Sequence, residues 1–318
     1  MSIGQALFRK TLEAAGVFWE LARIIAPIMI LTRALAEFGA IRALSPYLEP
    51  LMGLFGLPPE LVVAWLTGLL VGLWGAVAVV FTLSIAASLT TADMTVFSAL
   101  VLVAHAIPIE QRIIQKAGPG LIATSMVRIV GAMTLAALLH QAFATTGWLA
   151  TPLNLAWAPS PGAGGWGEFA IGLIQTLASM LAILLVLSWA LELLKLAGIL
   201  DRLHKALEPL FRLSGLEPET VPFATVGLLL GISYGGGLLI QEARSGRIPP
   251  RQVFLACVFM GFAHSIIEDT LVVVAFGADF IGVCVARLIF AALITAILAR
   301  LLAFMSDGAF FTAAFRRP

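Results

Sequence analysis

Charge is scarce in this chain of 318 residues. Asp, Glu, Lys and Arg together make up 12%, about half the share of an average soluble domain, and the formal net charge is +1. A nucleic-acid-binding domain gathers basic residues on one face, so that class is excluded. Cysteine occurs only as Cys257 and Cys284, both inside apolar runs. Two such residues make neither a disulfide framework nor a thiolate metal cluster, and they read as small buried hydrophobes. HExxH, CxxC and Walker motifs are all missing, and neither an enzyme nor a cofactor is expected. The first residues, with Arg9-Lys10 followed by Glu13, Glu20 and Arg23, lack the unbroken apolar core of a cleaved signal peptide.

What fills the chain instead is apolar: 60% hydrophobic residues and a mean hydropathy of +1.02. A water-soluble fold of this length cannot hide that much surface, which leaves the lipid bilayer as the expected solvent. The runs 14–38, 95–116, 119–140, 169–194, 251–276 and 280–303 are each long enough to cross it at 1.5 Å per residue. The expected fold class is an all-α polytopic membrane protein with six spans.

A single offset organises the chain. His264 minus His105 is 159, and the same shift carries Gly68 onto Gly227, Gly72 onto Gly231, Gly118 onto Gly277, Arg128 onto Arg287 and Glu49-Pro50-Leu51 onto Glu208-Pro209-Leu210. Chance does not hold one offset over so many Gly, Pro and charged positions. The chain is therefore read as two copies, residues 1–140 and 169–318, joined by a connector at 141–168. Each copy begins with a span and an amphipathic interfacial segment, 40–55 or 197–214, too short and too interrupted by Pro to cross. Next comes a glycine-broken stretch, 60–90 or 219–249, and then two more spans. Ser233-Tyr234-Gly235-Gly236-Gly237 puts three adjacent glycines in the second stretch, each costing a helix about 1 kcal/mol against Ala. This predicts re-entrant hairpins with tips at 73–77 and 233–237.

Basic residues test the hairpins through the positive-inside rule. If both hairpins return to the side they entered from, Arg9, Lys10, Arg112, Lys116, Lys195, Arg202, Lys205, Arg212, Arg244, Arg247, Arg251, Arg300, Arg316 and Arg317 share one side, and the other keeps little beyond Arg42. The connector, with Trp148, Trp157 and Trp166 but no Lys or Arg, falls on the other. If each hairpin crossed instead, the bias would vanish. The pattern thus predicts three crossings per copy, inverted copies, and both termini in the cytoplasm of a bacterial-type inner membrane.

Inverted repeats with broken elements meeting at mid-membrane form a recurring transporter plan, because unwound backbone and helix ends offer polar groups to a solute. Ser233, Tyr234, Gly235 and Gly236 are candidates for contacting that solute. His264 and Glu268 stand four apart, on one face of a continuous helix, and Pro108 predicts a kink beside His105 in the other copy. A carboxylate at mid-membrane costs about 2.5–3.5 kcal/mol on insertion scales, so Glu110, Glu268 and Asp269 require a partner, a proton or a cavity. Any of them could carry a coupling proton. Arg128 and Arg287 predict structural ion pairs, Glu110 with Arg128 and Asp269 with Arg287. The asymmetric positions then fall to recognition: Glu268 opposite Ile109, Ser233 opposite Trp74, Gln241 opposite Thr82 and Glu242 opposite Leu83. For His105 and His264, ligand and structural roles stay open.

The order of elements, with Gly231-Ile232-Ser233-Tyr234-Gly235-Gly236 and His264 to Thr270, resembles the nucleoside-recognition (Gate) domain proteins. That group includes spore maturation proteins, the membrane part of the ferrous iron permeases and the core of concentrative nucleoside transporters. The resemblance implies a solute held by both hairpin tips and both broken spans, hence by Ser233, Tyr234, His264, Glu268, Asp269, His105 and Glu110. The first tip, Leu73-Trp74-Gly75-Ala76-Val77, lacks the polar side chains that nucleoside transporters place there, and no Cys follows the hairpin glycines as in the iron permeases. The expected function is a secondary-active transporter of a small polar solute, coupled to protons or another cation. The alternatives are a divalent metal permease and a non-transporting membrane scaffold. Expected partners are the bilayer and a small-molecule or ion substrate, with homo-oligomerisation left open.

Overall fold

The computed structural model describes residues 3–83, 85, 88–153 and 165–315. Helices account for the regular structure, and among the described residues β pairing is limited to two isolated bridges, Thr90 with Pro152 and Pro119 with Phe315. The first copy comprises α1 (Ile3–Glu37), α2 (Ala40–Gly53), α3 (Leu61–Leu70), α4 (Leu73–Thr82), α5 (Thr91–Val103), α6 (Ile107–Ala117) and α7 (Leu121–Thr146). The second comprises α8 (Trp166–Leu196), α9 (Ile199–Leu213), α10 (Val221–Arg244), α11 (Pro250–Ala263), α12 (Glu268–Ala275) and α13 (Ala286–Ala303), with a short α14 (Asp307–Ala313) at the end. Among the described residues, six stretches are long and apolar enough to span a membrane: Gly4–Glu37, Thr91–Ala117, Leu121–Thr146, Trp166–Leu196, Pro250–Ala275 and Ile281–Ala303. They coincide with the six runs read from the sequence, the first starting ten residues earlier than expected.

The outer faces of these helices are apolar. Ile122, Met126 and Val130 on α7, and Ile289, Leu293 and Ile297 on α13, repeat every four residues and stay exposed. Such stripes are stable only against lipid or another apolar surface.

Positions 159 apart share unusual backbone conformations. Gly39 and Gly198 have φ of 73 and 67°, Gly56 and Gly215 64 and 80°, Ala106 and Ser265 46 and 47°, Gly118 and Gly277 123 and 90°. The two glycine-broken stretches also match, but their breaks lie elsewhere than expected. α3 and α4 part at Gly72 (φ 132°, ψ 179°), and α10 is divided at Gly231 (φ 82°, ψ 163°). Gly235, Gly236 and Gly237 do not form a tip; they continue the second arm of α10 as helix. The reason is packing. A methyl on Gly235 would stand 3.1 Å from Val226 in the opposite arm, and one on Gly236 would stand 2.9 Å from Ile113 of α6. The adjacent glycines let three helices approach closely, and tertiary contact offsets their poor helix propensity.

Two cores result. The larger holds α5, α7, α11 and α13 together with the hairpin arms. A smaller one joins Ile25 and Met29 of α1 and Met180 and Leu184 of α8 to Ala78 of α4. α1 and α8 thus form a separate pair, tied also by the Trp189 Nε1 to Thr11 Oγ1 bond of 3.1 Å.

Candidate functional site

α5 starts with a capping box: the Thr90 hydroxyl accepts from the Asp93 amide at 3.1 Å, and Asp93 Oδ2 accepts from the Thr90 amide at 2.8 Å. It ends at Val103, and the chain unwinds through Ala104, His105 and Ala106. α6 then restarts with Pro108 in its first turn, where the missing N–H costs nothing. In the second copy α11 ends at Ala263, and His264 to Ile267 separate it from α12. Without proline, this second break had no signal in the sequence. His264 and Glu268 are therefore not on one continuous helix: His264 follows the end of one half-helix, and Glu268 opens the next.

Each break leaves carbonyls without helical donors, and in an apolar surround every one needs a partner. Arginines of the following span supply them. Arg128 donates Nε to the Val103 carbonyl at 2.9 Å and Nη2 to the His105 carbonyl at 3.2 Å, and Arg287 donates Nη2 to the His264 carbonyl at 2.7 Å. Both guanidinium groups are fully buried. Arg128 also donates Nη1 to Glu110 Oε2 at 2.7 Å. The equivalent pair is not made. Among the described residues no ion pair joins Asp269 to Arg287, whose Nε and Nη1 have no hydrogen-bond partner. Asp269 lies instead with Oδ2 3.7 Å from His105 Nε2, across the interface between the copies.

That interface brings together side chains from both copies. His105 Nε2 and His264 Nε2 are 3.2 Å apart, with ring centroids 4.8 Å apart. Glu110 Oε1 lies 3.3 Å from His264 Nε2 and 3.8 Å from His105 Nε2, and accepts from the Ser233 hydroxyl at 3.4 Å. Each ring is aimed by its own half-helix, His105 Nδ1 donating to the Val101 carbonyl at 3.1 Å and His264 Nδ1 to the Met260 carbonyl at 2.9 Å. Glu110 and Asp269 both sit in the first turn of a half-helix, where the N-terminal dipole favours negative charge.

A cavity of about 180 Å³ opens on this cluster, walled by His105, Glu110, Gly231, Ser233, Glu268 and Asp269. α8 serves as a ruler for its surroundings. Leu184, near the middle of α8, touches the central cavity. Toward the C-terminal end of α8, a vestibule of about 360 Å³ lies among Lys10, Glu13, Glu192 and Lys195, and shares Val17, Leu184 and Glu268 with the centre. Toward the other end, Trp74 walls the central cavity and packs edge-on against Phe276 at 6.2 Å, beside Phe81 and Met180. That side is apolar, with a residual space of about 10 Å³.

The structure thus brings together Ser233, His105, His264, Glu110, Glu268 and Asp269 from the sequence-derived set, with Gly231 and Ser265 added to the cavity wall. Gly235 and Gly236 are packing residues in α10, and the Tyr234 side chain lies outside the described residues, as does Trp157. Gln241 and Glu242, expected in recognition by their asymmetry, line a separate pocket on the second arm of α10, where Glu242 pairs with Arg247 at 2.6 Å. Ser265 was missed: with φ 47° its hydroxyl lies against Gly231 and fixes how hairpin and break meet. The one available signal was its alignment with Ala106, which is weak because neither residue type announces a left-handed conformation.

Six long apolar helices, breaks that meet inside and a polar cavity between them define a polytopic membrane protein, and the nucleoside recognition (Gate) family model matches residues 177–306. Over a longer stretch the chain is similar to the uncharacterized membrane protein YvoD of Bacillus subtilis (strain 168), with 25% identity over 287 residues, covering 87% of this chain and 88% of the relative. No solved structure matches.

Proposed function

We propose that this protein is a secondary-active transporter of a small polar solute, coupled to a proton or another cation, built from two inverted copies in a cytoplasmic membrane with both termini inside. The observation that carries the reading is the central cavity, whose polar wall is drawn from the second hairpin and both broken spans, near the middle of α1 and α8. Polar groups at that depth are costly, so a chain that assembles six of them around a space uses them. The vestibule gives the cavity an approach from the end where Lys10 and Lys195 lie, the cytoplasmic side by the charge pattern. Trp74, Phe81 and Phe276 close the opposite side. This corresponds to an inward-facing arrangement, and movement of the hairpin arms against the separately packed α1 and α8 pair would expose the cavity to the other side. The Gate domain in the second copy supports the same reading.

The test is uptake by proteoliposomes of nucleosides, bases, small anions and divalent metals, with and without a proton gradient. Uptake of one class, lost in Glu268→Gln while the chain still folds, is the expected result. Background uptake of every class in both conditions refutes the reading.

A further inference from the structure

We propose that His105 Nε2, His264 Nε2, Glu110 Oε1 and Asp269 Oδ2 form a binding site for one divalent transition-metal ion of the zinc type. The inference concerns the cavity used above and rests on the transport reading only for its physiological role, as cargo or coupling ion; binding itself is measured independently.

A backbone carbonyl can only accept, so the bonds to Val101 and Met260 place the ring hydrogens on Nδ1 of both histidines. In their neutral forms, both Nε2 atoms then present lone pairs, and these face each other at 3.2 Å. That contact is repulsive unless an electrophile is shared between them. Two nitrogens bound at 2.0–2.1 Å to a tetrahedral zinc stand roughly 3.3 Å apart, so the rings already have the spacing of a ligand pair. The Nδ1–H bonds to carbonyls are also the outer support that metal-bound imidazoles ordinarily have.

The carboxylates complete the set. Glu110 spends Oε2 on Arg128 and turns Oε1 toward both rings, 3.3 and 3.8 Å from the two Nε2 atoms. Asp269 Oδ2 is buried without a hydrogen-bond partner and lies 3.7 Å from His105 Nε2. The ligand atoms of His105, His264 and Asp269 all fall within 4.8 Å of one another. A proton shared by the rings would relieve their contact but leave Asp269 Oδ2 unpartnered; a metal ion satisfies both. Two imidazoles and two carboxylates suit zinc, cobalt or ferrous iron, whereas magnesium and calcium demand oxygen ligands. The vestibule, lined by Glu13, Glu192 and Glu268 together with Lys10 and Lys195, gives a solvated approach to the site.

The purified full chain in detergent, stripped with a chelator, is titrated with Zn²⁺ by calorimetry and with Co²⁺ by visible absorption. One equivalent per chain with a tetrahedral cobalt spectrum, displaced by zinc, is expected. His105→Gln and His264→Gln should each weaken binding at least about 100-fold, more than loss of an outer-shell partner does. Asp269→Asn, nearly isosteric, should weaken it at least about 10-fold and covers the case in which a histidine variant does not fold. Glu242→Gln, remote from the site, should change nothing. The inference is overturned if the native chain takes up neither metal, or if uptake is the same in Asp269→Asn and the folded histidine variants. Metal binding without uptake of any solute would sink the transport reading alone, and organic-solute uptake without metal binding would sink the metal site alone.

Discussion

Replacing Gly231 with Ala should damage the protein more than the same change at Gly72, although the two positions are equivalent under the offset of 159. Both backbones occupy a region that is essentially restricted to glycine, φ 82° and ψ 163° at Gly231, φ 132° and ψ 179° at Gly72. Forcing a residue with a Cβ into it costs about 1–3 kcal/mol. At Gly72 that is the whole cost, because the nearest atom to a new methyl would be Ala106 Cβ at 3.9 Å. At Gly231 the methyl would meet Ser265 Oγ at 2.3 Å, adding an overpacking cost of about 1–3 kcal/mol. Ser265 is buried, so its hydroxyl has little room to rotate away. Denaturant titrations in mixed micelles would compare both single variants and the double variant Gly231→Ala with Ser265→Ala. The double variant should regain the overpacking part, since the Ser265 Cβ lies 3.6 Å away. Equal losses at Gly72 and Gly231, or no recovery in the double variant, would refute the claim that the hairpin and the break are fitted to each other at this point.

Removing the two buried arginines should have unequal effects. Arg128→Met strands Glu110 and two carbonyls and should cost about 3–5 kcal/mol, while Arg287→Met gives up one carbonyl bond and should cost about 1–3 kcal/mol, both read from the same titration. In a background without Cys257 and Cys284, cysteines placed at Ser245 and Ser306 should react with a membrane-impermeant thiol reagent only from the cytoplasmic side, and one at Thr151 only from outside; labelling of all three from one side would end the inverted topology. Glu268→Gln should leave unfolding within about 0.5 kcal/mol of the native chain, as expected for a side chain away from packed contacts, yet abolish uptake.

The spans were legible because long apolar runs form long apolar helices, and the offset of 159, read from Gly and Pro, reappears as shared backbone conformations. Proline also announced the break beside His105: Pro108 can only start a helix there, and α6 starts there. What the sequence hid was decided by tertiary packing. Gly235 and Gly236 looked like a turn, but they accommodate Val226 and Ile113 inside a helix. The Glu110 and Arg128 contact followed from simple charge matching, and by the same logic Asp269 should have met Arg287. It lies toward His105 instead, and α12 begins at Glu268, two residues later than the offset from the start of α6 would place it. The meeting of His105 with His264 could not be read at all. The two lie 159 residues apart, and no one-dimensional offset says which equivalent pair meets.

The arginines that satisfy the breaks also bear on how the chain is made. Everything Arg128 bonds, at Val103, His105 and Glu110, leaves the ribosome before it does, and the His264 carbonyl likewise precedes Arg287. A guanidinium entering the bilayer thus finds its acceptors already delivered, so the insertion machinery never has to release either span to lipid alone. The contacts between the halves, Ser233 with Glu110, Asp269 with His105 and the two histidines with each other, must wait until the second half has been made.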